Sequence, residues 1–303
     1  MKGKDLLSIC DLSAERARDL FTAAIQMKRA GLSSSLKGKS LALLFEKPSL
    51  RTRVSFDVAM HQLGGHCLYL SPAEIGLGTR ESIPDVGRTL SRYVDVLAAR
   101  TFAHATVEAL AEHCSVPVIN ALSDHEHPCQ ALADLLTMYE HKARLEGLDL
   151  AYIGDGNNVA NSLLLACMLL GVNFRAASPP AYAVPDDIRE RGKAISRGAR
   201  ITIVDRPEEA VEGADVVYTD VWTSMGQEDE AEKRRAAFRS YQVTPALLSK
   251  AARDVIFMHP LPAHRGEEVE ETVVDSSCSV VFDQAENRLH IQKAILLKAL
   301  GQS

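Results

Sequence analysis

Short apolar segments alternate with amphipathic stretches along the whole of this sequence, and this alternation constrains the fold more than any other feature. The apolar segments predict β-strands at 41–45, 66–70, 95–100, 116–120, 149–153, 173–177, 200–204, 215–219, 255–258 and 279–282. Helical patterns lie between most of them. Apolar strands joined by amphipathic helices are typical of parallel sheets that helices cover on both faces. We therefore predict an α/β protein with doubly wound, Rossmann-like parallel sheets.

The length of the chain divides this pattern into two lobes. At 303 residues the chain is long enough for about two domains, each with its own core. We predict a first domain of residues 1–145, a second of residues 146–284, and a C-terminal helix within 285–303 that completes the first domain. Residues 5–30 predict a leading helix, capped by Ser13. Because doubly wound sheets bind ligands at the carboxyl ends of their strands, we expect a ligand crevice between the lobes.

Composition excludes several classes of protein. The net charge of −6 argues against nonspecific nucleic-acid binding, so any basic site must be local. Six cysteines without a Cys-x-x-Cys pair indicate reduced thiols rather than disulfides or a zinc site. The N-terminus lacks the layout of a signal peptide, and the longest apolar run is too short to cross a bilayer. We therefore expect a cytoplasmic protein with no membrane segment.

The stretch 45–56 joins the end of a strand to the start of a helix. A proline ends the strand, and Ser49 then stands at the N-cap of a helix whose apolar positions include Val54 and Val58. A helix start of this kind binds anions, because its backbone N–H groups and its dipole both favour negative charge. The candidate ligands for an anion are the hydroxyls of Ser49 and Thr52, the guanidinium of Arg51 and the backbone N–H groups of Leu50, Arg51 and Thr52. A capped helix with solvated arginines explains this stretch equally well when it is taken alone.

Two further motifs of the first domain could act on a carbonyl group. Arg100 ends the strand predicted at 95–100, where it could polarise a carbonyl or bind phosphate, although a solvated strand end is equally plausible. Pro128 suits the first position of a helix, which places His127 at the N-cap and Gln130 on the same face. An imidazole and an amide that donate to one carbonyl oxygen form an oxyanion-type site. Because no cysteine or carboxylate has ligand spacing here, we expect no metal.

In the second domain, the run Gly154-Asp155-Gly156-Asn157-Asn158 follows a predicted strand. It resembles a dinucleotide-binding turn only in part, because the third glycine is missing and the next strand ends without an acidic residue. The asparagines are better interpreted as hydrogen-bonding groups for a small ligand.

Three further features are weaker candidates for a functional role. Asp220 and Ser224, four residues apart after a strand, could pair an ammonium group, although an Asx turn is the default interpretation. The run 259–262, His-Pro-Leu-Pro, predicts a rigid turn. Arg288 opens the last helix and would on its own be assigned to the surface. The polar stretches 74–82 and 223–240 are predicted as mobile loops.

Taken in chain order, these motifs resemble those of the aspartate/ornithine carbamoyltransferase family. The run 49–53, Ser-Leu-Arg-Thr-Arg, is similar to the family's phosphate-binding pattern, and 127–130 to its His-Pro-x-Gln pattern. The run 220–226 is similar to the Asp-x-x-x-Ser-Met-Gly loop of the family's ornithine enzymes. Arg100 and Arg288 match the positions of two further family arginines. The resemblance extends over nearly the whole chain.

The resemblance implies a role for each candidate residue. Carbamoyl phosphate would be bound by Ser49, Leu50, Arg51, Thr52, Arg100, His127, Gln130 and Arg288, and the catalytic residues would be Arg100, His127 and Gln130. Ornithine would be bound by Asn158, Asp220, Ser224, Met225 and Leu261. Asp220 and Ser224 would contact its α-amino group, and the Leu261 carbonyl its attacking amine.

The resemblance also implies an activity. The expected reaction is transfer of the carbamoyl group of carbamoyl phosphate to the δ-amine of L-ornithine, which gives citrulline and phosphate, with no cofactor and no metal. The expected assembly is a homotrimer or a multiple of it. Because the attack needs a neutral amine and a free alkylammonium has a pKa of about 10.4, activity should rise toward alkaline pH.

The sequence departs from the family pattern at three positions. Leu50 replaces a threonine of the phosphate-binding run, Gly76 replaces a Gln or His that reaches a neighbouring subunit, and Pro260 replaces the cysteine of the ornithine enzymes. Pro260 keeps other acceptors open, namely putrescine, lysine or an N-acylated ornithine, although Asp220 argues against putrescine because putrescine has no α-ammonium group. A dinucleotide-dependent oxidoreductase and a binding-only relative with a ruined site are the alternatives from other classes.

Overall fold

The computed structural model of the chain describes residues 5–224, 226 and 228–302. The described residues form two compact units. The first contains residues 5–133 and 286–302, and the second contains residues 134–285. Each unit is built on one parallel β-sheet with flanking helices, which confirms the predicted α/β class and the two doubly wound sheets.

The first unit contains a four-stranded parallel sheet. Its strands are β1 (Ser40–Phe45), β2 (His66–Leu70), β3 (Val96–Arg100) and β4 (Val118–Leu122). The strand order is β2-β1-β3-β4, so the direction of winding changes between β1 and β3. Residues 41–45 and 96–100 are buried throughout, as expected for strands that helices cover on both faces. The carboxyl ends of β1 and β3 therefore mark the position where a doubly wound sheet binds ligands.

Helices surround this sheet. They are α1 (Ala14–Ala30), α2 (Leu50–Gln62), α3 (Pro72–Ile75), α4 (Ile83–Leu90), α5 (His104–His113) and the first turns of α6 (Pro128–Lys142). The C-terminal helix α13 (Val281–Ala299) provides its later turns to the same unit. Ser13 caps α1 as predicted, by accepting a hydrogen bond from the Arg16 N–H. The helix begins at Ala14 rather than at residue 5, because Leu6 instead pairs with Ile119 beside the sheet.

The second unit contains a five-stranded parallel sheet. Its strands are β5 (Asp149–Ile153), β6 (Asn173–Ala177), β7 (Ile201–Val204), β8 (Val216–Thr219) and β9 (Ile256–Met258). Its helices include α7 (Asn158–Leu170), α8 (Asp186–Ile195), α9 (Pro207–Val211), α10 (Ala231–Phe238), α11 (Pro245–Leu248) and α12 (Glu271–Val274). The order β7-β6-β5-β8-β9 places the change of winding between β5 and β8. The turns that follow these two strands are thus neighbours.

Two further local predictions are wrong. The segment 279–282 is not a strand: Ser279 forms a single bridge with Phe257, and helix α13 begins at Val281. An apolar run this short does not distinguish a strand from a helix start, and Phe282 is in fact 68% exposed. Helix α2 buries a different face from the one predicted, because Val54 is 48% exposed. The buried residues of α2 are Thr52, Phe56, Ala59 and Met60.

The stretch 223–240 is largely helical rather than a loop. Within its described residues, a 3₁₀ turn at Glu228–Glu230 leads into α10, and a second such turn follows at Arg239–Tyr241. Two side chains of α10, Arg234 and Phe238, are buried, and they attach the helix to the unit. The polar composition of the stretch reflects its exposed face only.

Apolar helices in this structure belong to the cores. Helix α7 is buried from Val159 to Leu170, yet its 13 residues fall short of the roughly 20 that a transmembrane helix needs. No helix in the described part of the chain has both the length and the apolar character to cross a membrane.

Candidate functional site

The start of helix α2 has the geometry of an anion-binding site. Ser49 has extended backbone angles, φ −159° and ψ 118°, and its hydroxyl accepts a hydrogen bond from the Thr52 N–H at 3.3 Å. Ser49 is therefore the N-cap, as predicted. Leu50, at the first helical position, is 74% exposed, so its side chain does not cover the helix start. The dipole contributes about 0.3–1 kcal/mol for an anionic charge placed there.

Arg100 lies beside this helix start, at the carboxyl end of β3. It is paired in register with Phe45, and its carbonyl accepts the Glu46 N–H at 2.8 Å, which connects it to the segment leading into α2. Burial, together with the positive charges of Arg288 and Arg51, lowers the pKa of Arg100 to about 10. Its Nε atom makes no hydrogen bond within the described part of the chain. A buried cation with an unsatisfied hydrogen-bond donor indicates a binding site for an anion or a carbonyl oxygen.

Arg288 joins the same group from the C-terminal helix. Its guanidinium donates one hydrogen bond to Gln130 Oε1 and another to Thr52 Oγ1, the latter at 3.3 Å. The side chain is only 4% exposed, so the surface position expected from its local sequence is wrong. These two contacts bring together residues from helices α2, α6 and α13.

His127 is held neutral in this group. Pro128 is the first residue of α6, as predicted, and the His127 carbonyl accepts the Ala131 N–H at 3.2 Å, as an N-cap residue does. Burial lowers the pKa of His127 well below its usual value of 6.5, and the nearby charges of Arg288, Arg100 and Lys47 reinforce the effect. A neutral imidazole can donate to a carbonyl oxygen without adding another positive charge.

Lys47 belongs to this site, and the sequence interpretation gave it no role. It is 9% exposed, and its pKa is lowered by burial and next by Arg100. Its ammonium lies 5.1 Å from the centre of the Phe102 ring. Its position at the carboxyl end of β1, in the same run as Ser49, was the signal that could have identified it. We call the four cations Lys47, Arg51, Arg100 and Arg288 the cationic cluster.

In the second unit, Asp220 follows β8 and is buried. Its two carboxylate oxygens accept hydrogen bonds from Asn157 Nδ2 and from the Val221 N–H, both at 2.8 Å. Burial raises the pKa of Asp220, and these two hydrogen bonds oppose that rise. A buried carboxylate held in one orientation is suited to pair an ammonium group.

The two asparagines after β5 have different roles. Asn157 is the N-cap of α7, since its side-chain oxygen accepts the N–H groups of Val159 at 2.9 Å and Ala160 at 3.1 Å. Asn158 is the first residue of the helix and is half-buried. The sequence interpretation named Asn158 and missed Asn157, although asparagine is a preferred N-cap and that preference was a usable signal.

Arg234 of helix α10 connects the turns after β5 and β8. It forms an ion pair with Asp155, its Nε donates to the Trp222 carbonyl at 2.5 Å, and its guanidinium lies 4.6 Å from the centre of the Tyr182 ring. Burial raises the pKa of Asp155 to about 7, although Arg234 acts in the opposite direction. Arg234 thereby fixes the segment in which half-buried Ser224 lies. No local feature of the sequence reveals these contacts, and Met225 falls outside the described residues.

Leu261 lies in the predicted turn 259–262. It is half-buried, its φ is +58°, and a cis peptide bond joins it to Pro262. This turn and Asp220 both belong to the second unit.

The glycine turn after β5 does not have the geometry of a dinucleotide site. The Gly156 N–H donates to the Tyr182 carbonyl at 2.7 Å, and a Cβ atom at Gly156 would lie 2.4 Å from the Val184 backbone nitrogen. Close packing by the chain itself therefore explains why a glycine stands there. In a dinucleotide-binding turn, the pyrophosphate makes that close approach.

Among the described residues, one group of side chains has the spacing of a metal site. Donor atoms of His264, Glu267 and Glu268 lie within 4.8 Å of one another. Glu268 is fully buried, however, and its Oε1 atom already accepts two hydrogen bonds, from His259 Nε2 and from the His264 N–H. We therefore interpret Glu268 as a structural acceptor.

The fold is that of a doubly wound α/β protein, with the cationic cluster in the first unit and the buried carboxylate of Asp220 in the second. The family model described as aspartate/ornithine carbamoyltransferase, carbamoyl-P binding domain, matches residues 4–140. The model described as the Asp/Orn binding domain of the same family matches residues 146–299. The chain belongs to the aspartate/ornithine carbamoyltransferase family.

Known relatives match the chain over nearly its full length. The ornithine carbamoyltransferase of Anoxybacillus flavithermus is 51% identical over 99% of this chain and 98% of the relative. That of Bacillus subtilis is 51% identical over 98% of this chain and 94% of the relative. The solved structure of ornithine carbamoyltransferase from Pyrococcus furiosus has a TM-score of 0.96 at 49% identity, over 99% of this chain and 98% of that one.

Proposed function

We propose that this protein transfers the carbamoyl group of carbamoyl phosphate to the δ-amine of L-ornithine, giving L-citrulline and phosphate. The observation that carries the proposal is the cationic cluster, gathered around the α2 helix start beside a neutral His127. Few ligands suit such a site better than an acyl phosphate, in which the phosphate group is joined directly to a carbonyl carbon. Relatives about half identical in sequence that are named ornithine carbamoyltransferase support the choice of acceptor.

In this proposal the two domains divide the substrates. Residues 1–145, completed by the C-terminal helix within 285–303, bind carbamoyl phosphate, and residues 146–284 bind ornithine. Support comes from the charges: the cationic cluster lies in the first unit, and the buried carboxylate of Asp220 in the second.

The phosphate group would be bound by the α2 helix start, with Ser49, Leu50, Arg51 and Thr52 as its ligands. Arg100, His127 and Gln130 would donate to the carbamoyl oxygen, and Arg288 would orient Gln130. As the amine nitrogen bonds to the carbamoyl carbon, negative charge grows on that oxygen, and these donors stabilise it. The bond between carbon and the bridging oxygen then breaks, phosphate leaves with the electron pair, and the amine releases a proton.

Ornithine would be held by its α-amino acid end. Asp220 and Ser224 would contact the ammonium group, Asn158 and the Met225 backbone the carboxylate, and the Leu261 carbonyl the attacking amine. Only the neutral amine can attack, so the rate should rise toward alkaline pH, as for an alkylammonium with a pKa of about 10.4. Orientation of the two substrates supplies much of the catalysis.

The second candidate function keeps the chemistry and changes the acceptor, and Pro260 is the observation that favours it. Asp220 argues against putrescine and N-acylated ornithine, because neither carries a free α-ammonium group. Lysine differs from ornithine by one methylene, which a pocket discriminates only by about 1–3 kcal/mol.

The test is phosphate release from carbamoyl phosphate with each of these amines, and identification of the product by mass. We expect citrulline, and only when ornithine is present. Turnover with another amine alone would reject ornithine as the substrate and would assign specificity to 220–226 and 259–265. No turnover with any amine would leave a protein that only binds these ligands.

We also propose a cytoplasmic enzyme of arginine metabolism that assembles as a homotrimer or a multiple of it, as the family resemblance implies. Gly76 cannot provide the side chain that the family places at this position, so a trimer of this protein would lack that cross-subunit contact. Light scattering should give a mass of three chains or a multiple, and a monomer of 33.0 kDa would reject this assembly.

A further inference from the structure

The turn 259–262 has only two backbone donors, because two of its four residues are prolines. The His259 N–H donates to Gln284 Oε1 at 2.9 Å. The Leu261 N–H donates to the Nδ1 atom of the His259 ring, also at 2.9 Å. Side chains therefore satisfy both donors of the turn, and one of those side chains belongs to the turn itself.

The hydrogen bonds determine where the His259 ring carries its proton. Because Nδ1 accepts from Leu261, it must carry a lone pair, and the proton is on Nε2. Nε2 lies 3.1 Å from Glu268 Oε1, which also accepts the His264 N–H at 2.6 Å. His259 and Glu268 are both fully buried. The ring is thus fixed at both nitrogens.

Leu261 needs this support because its backbone is strained. A φ of +58° is a left-handed conformation that costs a residue with a side chain about 1–2 kcal/mol. Strained residues persist where their surroundings fix them, and they are frequent at sites that bind ligands. The hydrogen bond from the Leu261 N–H to the His259 ring fixes the plane of the peptide group between Pro260 and Leu261. That plane sets the direction in which the backbone approaches the Leu261 carbonyl.

We propose that His259 and Glu268 are positioning residues that orient the Leu261 carbonyl toward the acceptor amine. This inference rests on the proposed function, in which that carbonyl contacts the δ-amine of ornithine. Asp220 and His259 follow the carboxyl ends of the neighbouring parallel strands β8 and β9, so the pair stands beside a second ornithine contact.

The arrangement also explains how Pro260 is accommodated. Neither hydrogen bond that fixes Leu261 involves the side chain of residue 260. A thiol at that position would therefore not be needed to hold the carbonyl in place.

The experiment compares ornithine with L-norvaline, which has the same α-amino acid end but lacks the δ-amine. The KM for ornithine, the KM for carbamoyl phosphate and the inhibition constant of norvaline are measured for the wild type and for variants. His259→Leu removes both ring hydrogen bonds. His259→Asn retains an acceptor for the N–H two residues later, as in an Asx turn. His264→Asn, at an exposed histidine of the same segment, is the matched control.

We expect His259→Leu to raise the KM for ornithine about tenfold or more, which is the effect of losing one hydrogen bond to an amine. The norvaline constant and the KM for carbamoyl phosphate should stay near their wild-type values. His259→Asn should recover most of the ornithine affinity. Glu268→Gln should have a small effect, because its Oε1 can still accept both bonds.

Equal losses for ornithine and norvaline in His259→Leu would show a merely structural role and overturn the inference. If that variant does not fold, as judged by circular dichroism, a His259→Asn variant that weakens ornithine and norvaline alike overturns it instead. A wild-type protein that makes no citrulline would reject the proposed function, and this inference with it.

Discussion

The two candidate sites bury charge in different ways. In the first unit, burial and the positive charges of Arg288 and Arg51 lower the pKa of Arg100 to about 10, whereas Asp124 and Glu46 act on Lys47 with the opposite sign. In the described part of the second unit, each of four buried carboxylates has a donor of its own: Tyr218 for Asp134, Arg234 for Asp155, Asn157 for Asp220 and His259 for Glu268.

This difference indicates what each site is built to receive. Like charges in a buried cluster raise the free energy of the folded protein until an anion neutralises them. Carboxylates that are paired with donors inside the protein do not raise its free energy in this way. They keep a fixed orientation, and they therefore select among ligands by geometry. The first site is therefore expected to supply most of the binding energy, and the second most of the specificity.

The largest expected effect is that of removing the Arg100 cation, which should lower activity and at the same time raise stability. Arg100→Met should lower kcat/KM for carbamoyl phosphate by about 100-fold or more, as loss of an oxyanion donor does. It should also raise the free energy of unfolding by about 1–3 kcal/mol, because a pKa of about 10 indicates a charge that folding disfavours. Steady-state kinetics and urea unfolding measure the two effects. Arg92→Met, at an exposed arginine, should change neither, and normal saturation of Arg100→Met by carbamoyl phosphate would contradict the assignment.

Loss of the charge on Asp220 should affect one substrate only. Asp220→Asn should raise the KM for ornithine about 10- to 100-fold, because a buried ion pair with the α-ammonium group is lost. The KM for carbamoyl phosphate should not change. Asp187→Asn, at an exposed aspartate of the same unit, serves as the control. Equal effects on both substrates would remove Asp220 from the acceptor site.

Two variants of Asn157 should separate its capping role from its contact with Asp220. Asn157→Ala has no donor for Asp220, and the hydroxyl of Asn157→Ser is shorter than the amide whose Nδ2 makes the native contact, so each variant should raise the KM for ornithine about three- to tenfold. Only the alanine variant lacks a capping group, so only it should lower the free energy of unfolding, by about 1 kcal/mol. An unchanged KM in both would show that Asp220 does not depend on this hydrogen bond.

The smallest expected effect is a pH dependence of stability that arises from His127. Because its pKa in the folded chain lies well below 6.5, the unfolded chain takes up the proton first as the pH falls. The contribution of His127, measured as the free energy of unfolding of the wild type minus that of His127→Gln at each pH, should therefore be constant above about pH 6.5 and fall by about 1 kcal/mol over the next pH unit below it. The difference removes the effect of Asp155, whose pKa burial raises to about 7 and which acts in the opposite direction in both proteins. His127→Gln should abolish this part of the pH dependence, and His264→Gln, at an exposed histidine, should keep it. A His127→Gln variant that keeps the full wild-type slope would contradict the shifted pKa.

The features that the sequence predicted correctly are local ones. Nine of the ten predicted strands are present, and Ser49 and Ser13 cap the helices where their positions indicated. A strand covered on both faces is apolar throughout, and a cap depends on a few consecutive residues, so both can be recognised within a short window. The strand predicted at 279–282 is wrong because an apolar run of four residues does not distinguish a buried strand from the start of a helix.

The features that the sequence could not reveal depend on contacts between distant residues. Arg234 pairs with Asp155, which lies 79 residues earlier in the sequence (234 − 155). No local pattern identifies either residue as the partner of the other. Lys47 is buried because other parts of the fold cover the end of strand β1, and its neighbours in the sequence do not show this. Roles for Arg288 and Gln130 came from resemblance to a family, whereas their mutual hydrogen bond required the structure.

The contacts of Arg288 also determine when, during synthesis, the chain can complete its anion site. Strands β1 to β4 are complete once residue 122 has been synthesised, so the sheet of the first unit can form early. Arg288 reaches Gln130 and Thr52 across 158 and 236 residues, so it leaves the ribosome long after the strands of this sheet. A nascent or truncated chain can therefore hold a folded sheet and still lack a finished anion site. In this protein, the ability to bind the anion would report that synthesis has passed Arg288.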